Sequence, residues 1–469
     1  MIYQVFADEL PKEARIQLPA SKSLSNRALI IRALCPEPCR IDNLSDCDDT
    51  RVQLAAFEGN KPNIDIGAAG TSMRFLTAYL ACTPGKEVVL TGSARMKERP
   101  IRLLVDALRE LGADIEYQEK EGFPPLHIRG KQLEGGALSI DGSTSSQYIS
   151  ALLMIAPTLA KGLQLTLTGS ITSRPYILMT LQLMRRFGVE SSFVGNVITI
   201  APQAYRALNY TVESDWSAAS YWYEILLFGQ PQLERVTLCG LEPESLQGDS
   251  RVAAFFAELG IDTRFTEEGA ELTLSDRSLP EKVTWDLSDQ PDLAQTLIAS
   301  CVGAGIGFHM KGLHTLRIKE TDRLKAMHDE LQKFGVQVEV IGDDEMIYTP
   351  ANSLPSAGMN PLDVQVFATY KDHRMAMALA PLSAAVRESV YVDDPGVVSK
   401  SYPDFWEHLK QVNFQVEPID QSVDEFMAHA QEVKAQQERV HRHSKFILNT
   451  VLIACAAIVV LLSFKCCRW

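Results

Sequence analysis

The sequence predicts an α/β protein of two lobes, each built from three copies of one unit of strands and two helices, followed by a helical tail. Three observations predict it. The chain has 469 residues, too many for one typical domain, and 46% of them are hydrophobic, enough for ordinary globular cores. An amphipathic helix that ends at a glycine and runs into a β-rich stretch recurs along the chain. The recurrences are evenly spaced: 76, 72, 75 and 78 residues separate Gly112, Gly188, Gly260, Gly335 and Asn413.

Taken in order, a degenerate first copy is Val52 to Gly59. Clearer copies follow at Leu104 to Gly112, Leu181 to Gly188, Val252 to Gly260 and Met327 to Gly335. The last, Phe405 to Asn413, carries Asn at the glycine position. Both residues tolerate the left-handed conformation that commonly ends a helix. A period this long excludes a solenoid and suits a supersecondary unit used six times over about 410 residues.

The formal charge is −14. Residues 417–469 hold six basic and six acidic side chains, so the whole imbalance sits in residues 1–416. Such a body argues against nucleic-acid binding, and an anionic substrate would need a local basic pocket. Nine cysteines are scattered, odd in number and without a paired Cys-x-x-Cys frame. They read as reduced thiols with no structural zinc. The N-terminus lacks a basic region followed by an apolar one, so no signal peptide is expected.

Several motifs carry chemistry. Lys319-Glu320-Thr321-Asp322-Arg323 and Asp372-His373-Arg374 each pack a guanidinium, a carboxylate and another proton-active group into a few residues. That combination suits gripping an anion and moving protons on it, although a solvated helix start has similar composition. Ser21-Lys22-Ser23-Leu24-Ser25-Asn26-Arg27 opens an apolar helical run, where free backbone N–H groups and the helix dipole attract anions. Capping explains one serine but not Lys22 and Arg27. Gly67 to Arg74 is a small-residue turn that allows either close ligand approach or tight helix packing. In Arg95 to Pro100 the proline predicts a helix start just after Arg99. Gly142 to Tyr148 opens another apolar helix with more hydroxyls than a cap needs, and Ser173-Arg174-Pro175-Tyr176 repeats the theme. Gly303-Ala304-Gly305-Ile306-Gly307 is not a dinucleotide fingerprint, because it leads into a strand-like stretch rather than a helix.

Together these blocks resemble the 5-enolpyruvylshikimate-3-phosphate synthase family, in family order from Ser21-Lys22-Ser23 to Lys400, over about residues 1–413. The resemblance implies the enolpyruvyl transferase fold, an inside-out α/β barrel of two lobes each of three βαβαββ units. It implies a first lobe of residues 1–19 and 216–416 and a second of residues 20–215. It implies transfer of the enolpyruvyl group of phosphoenolpyruvate to the 5-hydroxyl of shikimate 3-phosphate, without metal or organic cofactor, by a monomer. Carried over by motif, Lys22, Ser23, Arg27, Ser145, Ser146, Gln147, Ser173, Tyr176, Asp292 and Lys319 would hold shikimate 3-phosphate. Lys22, Gly70, Arg99, Gln147, Arg323, Arg374 and Lys400 would hold phosphoenolpyruvate. Asp292 would be the base at the hydroxyl and Glu320, with Lys22 close by, the proton donor at carbon, assisted by His373.

The chain departs from the family pattern. Ala68 replaces an Asn, Phe75 a Pro and Thr315 an Asn, and the segment from Asp49 to Gly67 is short. The first two bear on the phosphoenolpyruvate pocket and on glyphosate response; the last trims the first repeat. Beyond Val416, residues 417–445 read as a polar helical linker with a weak apolar stripe at Val423, Phe426, Met427, Ala430 and Val433. Phe446 to Phe464 is then uncharged over a length of about 28 Å, close to a bilayer's hydrocarbon core. Basic residues before it favour a cytoplasmic catalytic body with a membrane anchor; the competing reading is a buried packing helix. Two rival functions remain open: a UDP-N-acetylglucosamine enolpyruvyl transferase, and a membrane-tethered binding homologue that has lost turnover.

Overall fold

All six repeat ends turn left-handed. Gly59, Gly112, Gly188, Gly260 and Gly335 have φ between +73° and +102°, and Asn413 has φ of +65°. A residue with a bulky Cβ would be strained at each, so the repeat seen in sequence is the recurrence of one helix stop. The computed structural model describes residues 1–7, 9–59, 61–350 and 365–436.

The unit between two such stops is visible at residues 63–129. Strand Asn63–Asp65, helix Gly70–Ala81, strand Glu87–Thr91 and helix Arg102–Glu110 lead into the hairpin Asp114–Tyr117 and Leu126–Arg129. The first two strands pair parallel and the hairpin closes antiparallel on the second. This strand pattern recurs in all five four-stranded sheets. The sheet of residues 366–419 borrows Ile2–Ala7 to complete its hairpin. The sheet of residues 235–274 borrows Glu13–Gln17 as its first strand. The first unit is reduced to helices Lys22–Leu34 and Asp48–Phe57 and a two-stranded sheet, Ile41–Asp42 against Tyr210–Thr211. Its short segment between Asp49 and Gly67 leaves no room for the closing hairpin.

Within each unit the first helix is buried on every side. Helix Trp216–Phe228 buries all its residues but Ser217, and Ala294–Gly303 and His373–Leu379 bury every residue. Apolar and small residues all round a helix leave no face for water, so these helices lie inside and the sheets outside. The second helices, such as Arg102–Glu110, are amphipathic and cover the sheets. Two hydrophobic cores result. One draws on residues between Val5 and Leu18 and between Trp216 and Val416, the other on residues between Ala20 and Val212. The chain crosses between them twice at one place, where Ser21 N–H donates to the Glu213 carbonyl at 2.8 Å and Asp215 N–H to the Pro19 carbonyl at 2.9 Å.

Three sequence expectations need correction. The helix after Pro100 starts at Arg102, because Ile101 has non-helical backbone angles (φ −136°) and occupies the cap position. The strand Phe414–Ile419 continues past Val416, since all six of its residues pair with Ile2–Ala7, so the helical linker does not begin at 417. Helix begins at Val423, capped reciprocally by Ser422 and Glu425, and it stands against the body through Phe426, whose ring lies 4.8 Å from that of Tyr391. Val433, placed on the apolar stripe, is exposed. The segment 446–464 lies outside the described residues; among the described residues no helix is long and apolar enough to cross a membrane. Cys35, Cys39, Cys47, Cys82, Cys239 and Cys301 are free thiols.

Glu224 is a charge the fold does not explain. It is fully buried on helix Trp216–Phe228, and neither carboxylate oxygen finds a hydrogen bond among the described residues. Burial pushes its carboxyl well above the usual range, so it stays neutral in the fold while it ionises in the unfolded chain. Its stabilising contribution is therefore full below about pH 4.5 and is lost as pH rises toward the folded value. Glu224→Gln, which cannot ionise, is expected to match the wild type in thermal midpoint near pH 4.5. It is expected to exceed it at pH 8, with the gap widening as pH rises. A gap that does not change with pH would show that Glu224 is not the titrating group.

Candidate active site

The N-terminal turns of several helices, inner and outer, converge on a cleft between the two cores. Each start is built by a local capping rule. Ser21 caps Lys22–Leu34 through the Leu24 N–H, and Asp372 caps His373–Leu379 through the Arg374 N–H at 3.0 Å. Ser145 caps Ser146–Ile155 through the Gln147 N–H. Asp322 caps Arg323–Lys333 through the Lys325 N–H at 3.0 Å. Unpaired N–H groups and positive dipole ends thus face one space. Ser173, in the left-handed conformation at φ +53°, starts Arg174–Arg186 and is held by its N–H donating to Ser288 O at 2.9 Å. Such strain in a non-glycine residue persists only where its surroundings over-determine it.

The charge lining this space opposes that of the chain. Lys22, Arg27, Arg74, Arg99, Lys319, Arg323 and Arg374 face it, against three carboxylates, Asp49, Asp292 and Glu320. Arg27 is 2% exposed and bonds only neutral acceptors: Thr180 Oγ1 at 2.7 Å, Ser23 O at 2.9 Å and Ser150 Oγ at 3.1 Å. Burial pushes its pKa down to about 10, and its guanidinium lies 5.2 Å over the Phe75 ring. Arg74 likewise bonds Gly70 O and Pro100 O and no carboxylate. Among the described residues neither of these two cations has an ion-pair partner.

The carboxylates are locked in cations. Glu320 accepts from Lys400 Nζ at 2.6 Å and from Arg323 Nη2 at 3.0 Å, with Arg99 Nη1 at 3.7 Å. Burial alone would raise its carboxyl, but Lys400, Arg323 and Arg99 outweigh burial and hold it well below the usual range. Asp292 accepts from Arg374 Nη2 at 3.0 Å, Arg323 Nη1 at 3.1 Å and Lys319 Nζ at 3.4 Å. There too burial is outweighed, by Arg374, Lys319 and Arg323. Lys22 Nζ lies 4.0 Å from Asp49 Oδ2. Burial would lower its pKa; Asp49 and Cys47 raise it, so the ammonium stays charged. His373 is the reverse case. Burial, with Lys22 and Arg374 facing it, drives the imidazole well below its usual value, and neither ring nitrogen has a hydrogen-bond partner among the described residues.

Of the residues the sequence singles out, Lys22, Ser23, Arg27, Arg99, Ser145, Ser146, Gln147, Ser173, Tyr176, Asp292, Lys319, Glu320, Arg323, His373 and Arg374 all line the cleft. Gly70 and Lys400 do not line it and act on groups that do. Lys400 reaches Glu320, and a Cβ on Gly70 would stand 2.6 Å from Arg99 Nη1. The cleft also contains residues the sequence reading left out. Asp49 is hidden in a run of three acidic residues and a cysteine, Asp46 to Asp49, that reads as a helix start. Thr71 receives a bond from Gln147 Nε2 at 3.1 Å, and Arg74 lies within a quoted motif. Thr315, set aside as a departure from the family, faces the cleft with its hydroxyl unpartnered among the described residues.

The comparisons with known proteins agree with this geometry. The family model for EPSP synthase (3-phosphoshikimate 1-carboxyvinyltransferase) matches residues 9–59 and 53–409. The 3-phosphoshikimate 1-carboxyvinyltransferase of Bacteroides fragilis strain ATCC 25285 is 50% identical, covering 86% of this chain and 96% of that protein. The protein of the same name from Colwellia psychrerythraea is 39% identical over 85% of this chain and 96% of that protein. Among solved structures, EPSP synthase from Acinetobacter baumannii superposes with a TM-score of 0.70 at 21% identity, covering 89% of this chain and 100% of that one, which is a likeness of fold. The chain belongs to the EPSP synthase (3-phosphoshikimate 1-carboxyvinyltransferase) family.

Proposed function

We infer that this chain transfers the enolpyruvyl group of phosphoenolpyruvate to the 5-hydroxyl of shikimate 3-phosphate, releasing phosphate. The observation that carries the reading is the division of the cleft. Hydroxyls and an amide from Ser23, Ser145, Ser146, Gln147, Ser173 and Tyr176 line the cleft together with Asp292 and Lys319, a set suited to a polyhydroxylated ring bearing a phosphate. Arg99, Arg323 and Lys400 gather around Glu320, a cation cluster suited to a second small anion, with Arg374 nearby on Asp292. Two polyanions can share one cleft only where cations offset their repulsion.

Residue roles follow from that division. Asp292 takes the proton of the 5-hydroxyl as its oxygen attacks the enol carbon, while Glu320 delivers a proton to the methylene carbon. Elimination runs the carbon proton back to Glu320 and expels phosphate from the tetrahedral intermediate. The protein's own charges keep Glu320 ionised, so it must be primed. Phosphoenolpyruvate seated on Arg99, Arg323 and Lys400 would neutralise the cations that depress its pKa, and a proton would then be retained until transfer. Neutral His373, buried beside Lys22 and Arg374, can assist that proton transfer.

Phosphate release from phosphoenolpyruvate is expected to depend on shikimate 3-phosphate and not on UDP-N-acetylglucosamine. Equal turnover with the nucleotide sugar would transfer the assignment to the rival enzyme, and none with either acceptor would favour a binding homologue. Asp292→Asn and Glu320→Gln are each expected to lose on the order of 10²–10⁴ in kcat while still binding substrate. Near-normal turnover in either variant would remove that residue from the proton path.

For the tail, we propose that Phe446–Phe464 anchors the catalytic body at the cytoplasmic face of a membrane. The uncharged run and the preceding Lys434, Arg439, Arg442 and Lys445 support this. Truncation after Asp420, which spares the strand Phe414–Ile419, is expected to give a fully active enzyme that stays in the supernatant. The full chain is expected to resist alkaline carbonate extraction. Extraction of the full chain would exclude insertion.

A further inference from the structure

Asp249 belongs to no motif and lies outside the cleft lining, yet it is 3% exposed and placed where the lobes meet. It sits in a short turn, Gly248–Arg251, of the first lobe. One carboxylate oxygen accepts the Tyr176 hydroxyl of the second lobe at 2.6 Å; the other accepts the Ser217 hydroxyl of its own. Burial raises the Tyr176 phenol far above its usual value, with Asp249 and Asp292 adding to the effect, so Tyr176 is the donor.

The approach is built into the backbone. A Cβ on Gly248 would stand 2.3 Å from Pro175 Cβ, so only glycine lets this turn meet the start of helix Arg174–Arg186. The same turn is fastened to the chain crossover. Gln247 donates to Ser214 O at 2.8 Å and accepts from Trp216 N–H at 3.1 Å. Asp215, one residue on from Ser214, accepts from Lys22 N–H at 3.1 Å. The segment therefore runs from the crossover to the tyrosine that lines the acceptor wall.

We propose that Asp249 is a positioning residue for shikimate 3-phosphate: it fixes the Tyr176 hydroxyl across the lobe boundary and so forms the acceptor subsite only when the lobes are together. This rests on the reaction inferred above and on Tyr176 contacting the acceptor. The charged or titratable groups facing Asp249 are Asp292, Arg374 and Tyr176. Burial and Asp292 push its carboxyl up to about 6, which leaves it an ionised acceptor for both hydroxyls at pH 7.5.

The test is a double-mutant cycle at pH 7.5 with Asp249→Asn and Tyr176→Phe, reading both Michaelis constants and kcat. Each single variant is expected to raise KM for shikimate 3-phosphate about tenfold, the scale of one hydrogen bond to a charged group, with KM for phosphoenolpyruvate within about twofold. The double variant is expected to be no worse than either single one, because the two residues form one unit. Multiplicative losses in the double variant would overturn the proposal. So would an unchanged KM in Asp249→Asn, or an equal rise for both substrates. If Asp249→Asn does not fold, Tyr176→Phe decides: an unchanged KM for shikimate 3-phosphate overturns the proposal, and a selective rise sustains it. Wild-type turnover is measured first. Its absence overturns the reaction itself, whereas turnover with unaffected variants overturns only the positioning role.

Discussion

One guanidinium, that of Arg323, holds the chemistry of this protein in place. It is 2% exposed, and its nitrogens serve three carboxylates. Asp372 takes Nε at 2.7 Å and Nη2 at 3.2 Å, Glu320 takes Nη2 at 3.0 Å, and Asp292 takes Nη1 at 3.1 Å. Asp372 is fully buried and fixed by its own capping bond to Arg374 N–H, so it anchors the fork. The other two bonds then set where Asp292 and Glu320 stand relative to each other. A lysine could not do this, because a single ammonium on a flexible stem has no planar fork. Burying so many charges is costly, and removing one partner would strand the others. The arrangement keeps two carboxylates at fixed separation, both held ionised by the cations around them.

The inside-out fold supplies the rest. Wrapping sheets around buried helices points several helix starts at one place, and helix starts are where N–H groups go unpaired. A chain of net charge −14 thus presents positive potential at a single concavity. The price is that the inner helices can carry little polarity, which makes unpartnered Glu224 conspicuous beside the paired Ser220 and Thr296, whose hydroxyls lie 3.2 Å apart.

Much of this was legible in the sequence, and the reasons differ by feature. The repeat could be read because each copy needs the same left-handed stop. The helix starts could be read because capping is local, and serines or aspartates in excess of capping, joined to arginine, have few other uses. What could not be read depends on contacts far apart in the chain. Asp49 is an ordinary N-terminal helix acid until Lys22 is placed 4.0 Å away. Arg74 differs from a surface arginine only because Gly70, Met96 and Pro100 close over it. Asp249 meets Tyr176 across 73 residues and the lobe boundary. The end of the last strand was misjudged for the same reason: Glu417 to Ile419 look like linker until the N-terminal strand pairs with them.

The two lobes contribute unlike parts, and this bears on how the site can work. Lys22, Arg27, Arg74 and Arg99 come from the second lobe; Asp292, Glu320, Arg323, Arg374 and Lys400 come from the first. Besides the Tyr176–Asp249 and Ser173–Ser288 bonds, several contacts join them across the cleft. Arg99 stands 3.7 Å from Glu320, Arg95 Nε donates to the Glu320 carbonyl at 3.2 Å, and Ser399 donates to Asp48 at 2.5 Å on the outer side. The Arg95 and Ser399 bonds are exposed and contribute little each in water, whereas the Arg99–Glu320 pair is largely buried. Of the cations that face the cleft from the second lobe, Lys22 and Arg99 have carboxylates nearby, whereas Arg27 and Arg74 have no ion-pair partner among the described residues. Their attraction is satisfied only by anions brought in from outside, so occupancy of the cleft by the two substrates would itself draw the lobes together. Substrate charge would then do two jobs with one set of contacts, completing the site and releasing Glu320 from the cations that hold it ionised.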